Sequence, residues 1–204
     1  MQRVVAISRR RRFGRGEVVF HRDDPGDSLH LVVKGRFAIR IMSPIGDTVT
    51  IAVRGPGDSF GEMALVSEAR RTATAIALEP AETLAVYKDD FNELRRRYDS
   101  VDEALFLFLV GEVRMLNERL LEAFYVPAER RVLRRLAELA DGAEGNGNGP
   151  IEIPLTQEEL AELAGSTRAT INRILRDEER RGVLRLERGR TVVLALEQIV
   201  RRGR

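Results

Sequence analysis

Thr156-Gln157-Glu158-Glu159-Leu160-Ala161-Glu162-Leu163-Ala164-Gly165-Ser166-Thr167-Arg168-Ala169-Thr170-Ile171-Asn172-Arg173-Ile174-Leu175 carries the strongest pattern in this 204-residue chain. Thr156 and Glu159 have capping-box spacing: the hydroxyl can accept from the third helical N–H while the carboxylate reaches back to the cap. The helix they open turns Leu160 and Leu163 inward and stops at Gly165. A second helix begins after Ser166, with Ile171, Ile174 and Leu175 inward. Two short helices joined through a glycine, with arginines on the outer face of the second, match a helix-turn-helix.

Downstream, Arg180-Arg181-Gly182 ends the next segment. Val183–Leu186 and Thr191–Leu194 then alternate about a turn at Arg188-Gly189, which predicts a hairpin, or wing. From Ser166 to the end there are 11 arginines against 5 acids, a footprint suited to a polyanion. Arg168 and Arg173 would enter a major groove, where arginine fits the two acceptors on guanine. Thr156, Thr167 and Thr170 offer short donors to phosphates, and Asn172 could pair with adenine or a phosphate.

Upstream, Pro127 ends a long helical stretch and marks a hinge. After it, Arg131–Ala140 repeats a helical pattern through Val132, Leu136 and Leu139, and residues 141–150 form a glycine-rich loop. Between Tyr98 and Pro127, apolar residues at Val101, Leu105, Phe108, Val113, Leu116, Leu120 and Ala123 draw one stripe along a helix. At about 1.5 Å per residue that helix reaches roughly 40 Å, longer than one small domain needs for its core. It reads as a dimer seam joining a sensing half to an acting half.

The first half is punctuated by turn signals, among them Asp24-Pro25-Gly26-Asp27, Pro44-Ile45-Gly46-Asp47 and Gly55-Pro56-Gly57-Asp58. Short runs lie between them: Glu17–His21, Ser28–Val33, Arg36–Met42, Thr48–Val53, Thr74–Leu78 and Thr83–Tyr87. That spacing predicts an antiparallel sandwich or jelly roll. The Arg9–Arg12 run reads as solvated surface, and His21 and His30 as ordinary strand residues outside any site.

Composition narrows the chemistry. Zero cysteines exclude disulfides, thiolate metal sites and cysteine nucleophiles, and two histidines leave no histidine-rich metal or haem centre. No apolar run reaches the roughly 18 residues of a membrane span and no signal sequence is visible, so the expected location is the cytoplasm.

The informative part of this half is Phe60-Gly61-Glu62-Met63-Ala64-Leu65, followed by Arg70-Arg71-Thr72-Ala73-Thr74. A glycine permits close approach of the backbone, the residues after it can open a short helix with free N–H groups, Arg71 supplies a charge and Thr72 a hydroxyl. Together they form a small phosphate cradle.

These residues resemble the phosphate-binding cassette of the cyclic-AMP receptor protein/FNR (Crp/Fnr) superfamily of bacterial transcription regulators. The glycine-punctuated strands are similar to that family's sensor domain, and the long helix to its dimerisation helix. The resemblance implies an α+β chain: a β jelly-roll, cyclic-nucleotide-binding-like domain over 1–98, a dimerisation helix over 99–126 and a winged helix-turn-helix domain over 127–204. It places the ribose hydroxyl on Glu62 and the cyclic phosphate on Arg71 and Thr72, with Gly61, Met63 and Ala64 lining the cradle.

Three departures stand out. The family's helix before the first strand is largely missing, because Arg9–Arg12 comes almost at once. The adenine-reading hydroxyl pair late in the long helix falls on Leu116-Asn117, where leucine cannot hydrogen-bond a base edge and Asn117 keeps donor and acceptor capacity. In the recognition helix, Ala169 stands where the family often has a glutamate that accepts from cytosine, and at most touches a thymine methyl.

The sequence therefore reads as a homodimer pairing through 99–126, binding two-fold symmetric double-stranded DNA and, by resemblance, meeting RNA polymerase. Its effector is a small anion, with cyclic AMP or another cyclic nucleotide as candidate. The alternative is a constitutive DNA-binding factor with an empty pocket. A third reading, an enzyme using Glu62 on a phosphate ester, lacks a nucleophile–base pair and a metal-ligand cluster.

Overall fold

The computed structural model describes residues 7–43, 46–67, 70–141 and 149–204, and the side chains of Ala64 and Ser67 are not described. Pro44, Ile45 and residues 142–148 of the glycine-rich loop lie outside the described residues. The chain forms two compact units, one of residues through Ile41 with 51–120, the other of 42–50 with 121–204.

The strands of the β-rich part are β1 (Arg9–Phe13), β2 (Val18–Phe20), β3 (Ser28–Lys34), β4 (Phe37–Met42), β5 (Thr48–Arg54), β6 (Ser59–Phe60), β7 (Thr74–Ala77) and β8 (Ala81–Tyr87), all in the first unit but for Met42 and the start of β5. They form two four-stranded sheets, ordered β1-β8-β3-β6 and β2-β7-β4-β5. Alternate residues of β3, β7 and β8 are buried, as strands with one covered face require. Phe13, Val32, Phe37 and Phe60 pack between the sheets with Ala75 and Ala77. Gly35 makes a close approach possible: with φ +75° and a built Cβ 2.6 Å from Ala81 Cβ, no side chain fits there.

The arginine run is itself strand β1, at a sheet edge, with Arg9–Arg12 exposed and Phe13 buried. Arg10 and Arg12 pair with Glu82 of the neighbouring strand, and Arg9 lies 4.9 Å from the centre of the Tyr87 ring. A charged edge of this kind resists pairing with another sheet.

Helix α1 (Glu62–Ser67) follows β6, and α2 (Lys88–Arg97) follows β8. The long helix α3 is continuous over Ser100–Tyr125. Its predicted stripe divides: Val101, Leu105 and Phe108 are half-buried, Val101 and Leu105 against Leu65, Val86 and Phe91, whereas Val113, Leu116, Leu120 and Ala123 are exposed.

The second unit contains α4 (Ala128–Asp141), β9 (Ile151–Ile153), α5 (Gln157–Ala164), α6 (Arg168–Arg180), β10 (Leu184–Glu187), β11 (Arg190–Val193) and α7 (Leu196–Gly203). Val132, Leu136 and Leu139 of α4, Leu160 and Leu163 of α5, and Ile171, Ile174 and Leu175 of α6 are all buried. The hairpin turns at Arg188-Gly189, and β9 joins it in a three-stranded sheet ordered β10-β11-β9. Helix α6 does not pause at Leu175. It continues because Glu178 is fully buried and holds Arg181 at 2.7 Å and Arg202 of α7, which also bonds Glu129 of α4 at 2.9 Å.

Candidate functional site

The first unit encloses a cavity of about 400 Å³. Strand β5 supplies Ile51, Ala52 and Arg54, the turn into α1 supplies Gly61, Glu62 and Met63, the loop before β7 supplies Arg71 and Thr72, and α3 supplies Leu109, Glu112, Val113 and Leu116. Five of the six residues expected to form the cradle therefore line one space. Ala64 is not among the lining residues, and its side chain lies outside the described ones.

Gly61 adopts φ +90°, and a Cβ there would stand 2.7 Å from Arg71 Nη1. Glycine is required because the guanidinium packs onto its backbone. Arg71 is 3% exposed; its Nη1 donates to Ser28 O at 2.7 Å and Gly61 O at 2.9 Å, and its Nη2 to Ser28 Oγ at 3.0 Å and Asp27 at 3.4 Å. Its carbon lies 4.0 Å from the centre of the Phe20 ring. The buried Nε–H has no acceptor among the described residues. Burial lowers the Arg71 pKa, partly offset by Asp27 and Glu62.

Glu62 opens α1, and burial raises its pKa against the opposing pull of its own backbone N–H and of Arg54. Arg54 is ion-paired with Glu112 of α3. Thr72 Oγ1 lies 3.7 Å from Met63 Sδ.

Two placements, of Asn117 and His21, differ from expectation. Asn117 does not line the cavity: one residue beyond Leu116 on α3, it is carried about 100° around the helix and is exposed. Within one chain it is not an effector contact. His30 is a strand residue outside the cavity lining, as expected, but it is buried directly behind the cradle, its Nε2 3.3 Å from the Ser28 Oγ that accepts from Arg71. His21 follows β2 rather than lying in it. The charged wall residues Arg54 and Glu112 were not anticipated; an isolated charge in a strand run, or one on a helix, gives no sign that the two meet.

In the second unit the capping box is formed, with Glu159 N donating to Thr156 Oγ1 at 3.2 Å and Thr156 N to Glu159 at 2.8 Å. Thr167 caps α6 in the same way, its Oγ1 accepting from Thr170 N at 3.2 Å. As acceptors, both hydroxyls are committed to helix starts; Thr156 keeps its O–H to donate, while the Thr167 and Thr170 hydroxyls lie 3.0 Å apart and share one hydrogen bond, leaving one O–H between them. Arg168, Ala169, Asn172 and Arg173 are exposed on one side of α6, opposite Ile171, Ile174 and Leu175, and Thr170 is half-buried. Asn172 Nδ2 donates to Gln157 at 2.9 Å, and Arg168 stands 3.9 Å from Glu158. Arg190 of the wing pairs with Glu187 and Glu152.

Among the described residues, no helix is long and apolar enough to cross a membrane, and no cluster of three metal-ligating side chains occurs.

Residues 10–98 match the cyclic nucleotide-binding domain family, and residues 130–202 the Crp-like helix-turn-helix domain family. The chain is 30% identical over 194 residues to the CRP-like cAMP-activated global transcriptional regulator of Mycobacterium tuberculosis, covering 94% of this chain and 87% of that one. It is 34% identical over 180 residues to the cyclic AMP receptor protein of Thermus thermophilus, covering 88% and 81%. The solved structure of FixK2 from Bradyrhizobium japonicum shares the fold, with TM-score 0.82 at 20% identity over 96% of each chain.

Proposed function

Because the chain belongs to the Crp/Fnr superfamily of transcription regulators, we propose that it is a cytoplasmic homodimer that binds two-fold symmetric DNA under the control of a cyclic nucleotide held in the β-rich unit. The observation that carries this reading is Arg71. A buried guanidinium with an N–H lacking any acceptor is costly, by about 1–3 kcal/mol, unless a ligand oxygen meets it. In this reading the effector's phosphate lies against Arg71 and Thr72, and Glu62 accepts from a ribose hydroxyl. Relatives matched over most of their length are described as cAMP-activated or as a cyclic AMP receptor, which supports the same class of effector.

The α3 side of the cavity offers Leu109, Val113 and Leu116 to the base. None of these three can hydrogen-bond, and the carboxylate of Glu112 on the same wall is paired with Arg54, so the base is held mainly by shape and apolar contact and adenine gains little over guanine. Since α3 forms that wall, occupancy biases the helix, and through the hinge at Pro127 the spacing of two recognition helices toward successive major grooves roughly 34 Å apart. On the DNA, Arg168 and Arg173 read base edges with Ala169 and Asn172 beside them, while Thr156, Thr167 and Thr170 donate to phosphates. RNA polymerase is the further partner this reading implies.

Calorimetric titration with cyclic AMP and cyclic GMP, beside Arg71→Ala, tests the reading: saturable binding lost in the variant is expected. A second reading, a constitutive DNA-binding factor, draws on the four protein acceptors already engaged by the Arg71 Nη atoms. Absence of binding by either nucleotide would favour it.

A further inference from the structure

The exposed face of α3 has its own periodicity. Phe106, Val110, Val113, Asn117, Leu120 and Phe124 alternate at spacings of four and three, the 3.5-residue repeat of a two-stranded coiled-coil seam. Phe106 is 66% exposed, Val113 and Leu120 each 56% and Phe124 73%. A single chain leaves this apolar stripe in water, so it marks an interface. Val113 of the seam also lines the effector cavity, together with Leu109 and Leu116 beside the seam. Asn117 is the one polar residue in the stripe, and none of its described neighbours offers it a hydrogen bond.

We propose that Asn117 is a register pin: in the dimer, the occupant of the seam is a second copy of α3, parallel and in register, with the two Asn117 amides hydrogen-bonded across the two-fold axis. This rests on the homodimeric reading above and deepens it. A helix meeting its own copy in parallel brings each position opposite itself, so the amide finds a partner with both donor and acceptor capacity. An antiparallel pair, or a slip of one heptad, places each amide against an apolar residue and leaves it unpaired. The pin sacrifices some stability for a single register. That register matters here because Leu116, the adjacent residue, lines the effector cavity, and a slip would move cavity wall and seam together.

The cysteine-free chain allows a direct test by oxidative cross-linking of full-length variants at exposed positions, beside sedimentation. With Asn117 kept, Leu120→Cys is expected to cross-link readily to itself and Glu118→Cys at least tenfold less. Mixing Val113→Cys with Leu120→Cys chains probes a one-heptad slip. The mixed disulfide should be rare, and should rise at least tenfold when both chains also carry Asn117→Leu.

A protein that sediments as a dimer but does not cross-link through Leu120→Cys with Asn117 in place would overturn the pin while leaving the dimeric regulator standing. Unchanged register in Asn117→Leu would overturn it as well. A monomer at cellular concentrations would overturn both the pin and the dimer it rests on.

Discussion

Arg54 of β5 and Glu112 of α3 form an ion pair in the cavity wall, with side chains 14% and 23% exposed. Strand and long helix are clasped here, and again where Arg119 donates to Ile51 O. The cavity wall formed by α3 therefore belongs to the same helix that carries the exposed apolar seam.

Removing one partner leaves the other charge partly desolvated. Arg54→Ala or Glu112→Ala should each lower unfolding stability by about 1.5–3 kcal/mol, and the double variant by less than their sum. A double-mutant cycle in urea measures this, and a coupling indistinguishable from zero would show the pair to be incidental.

Gly61→Ala should damage the cradle more than its size implies. The methyl meets Arg71 Nη1 at 2.7 Å and Ser28 O at 3.0 Å, at φ +90°. We expect a loss of about 1–3 kcal/mol of stability together with loss of nucleotide binding. A variant with unchanged urea midpoint and nucleotide affinity would contradict this geometry.

His30 gives the β-rich unit an acid sensitivity. Burial, then the charges of Arg71 and Arg11, lower its pKa from 6.5 to about 4, Asp27 opposing. Below pH 6.5 the unfolded chain takes up a proton that the folded one refuses, so stability falls as pH drops from 6.5 toward 4, by about 3 kcal/mol in all. Glu62, its pKa raised, works in the opposite sense at the acid end. The comparison is therefore with His30→Phe, which should have a flatter urea midpoint between pH 6.5 and 4. Parallel profiles for the two proteins would dismiss His30 as the source.

On the recognition helix, Arg168→Ala should cost about 1–3 kcal/mol and relax specificity at one position of each half-site. Equal loss on all DNA sequences would make Arg168 a phosphate contact. Thr156→Ala removes the cap of α5 and should lower stability by about 1 kcal/mol, read by thermal unfolding.

The helix-turn-helix was legible because local rules coincide there: capping box, left-handed Gly165 and inward leucines all appear in the sequence and all appear in the fold. The cradle was legible as a motif, since Gly61, Glu62, Arg71 and Thr72 do line one cavity. Strand β1 was legible only as the solvated surface that Arg9–Arg12 form, because four arginines hide any alternation, and α2 was missed because the run Lys88–Arg97 buries only Phe91. Asn117, read as a pair with Leu116, does not line the cavity within one chain: each step along a helix turns about 100°, and the lining ends at Leu116. The Arg54–Glu112 pair and His30 behind Arg71 depend on strand and helix placement, which no short sequence pattern encodes.

The central claim is that a cyclic nucleotide in the β-rich unit tightens the grip on DNA. The most direct measurement is the affinity of the full-length protein for DNA selected from a random pool, at one fixed salt concentration, with no nucleotide, with cyclic AMP and with cyclic GMP. The account predicts that saturating nucleotide tightens binding by about tenfold or more, a coupling of about 1.4 kcal/mol, and that DNA tightens nucleotide binding by the same factor. The two nucleotides should differ little, and Arg71→Ala should abolish the effect. An affinity identical with and without either nucleotide would contradict the account and leave a DNA-binding factor that needs no effector.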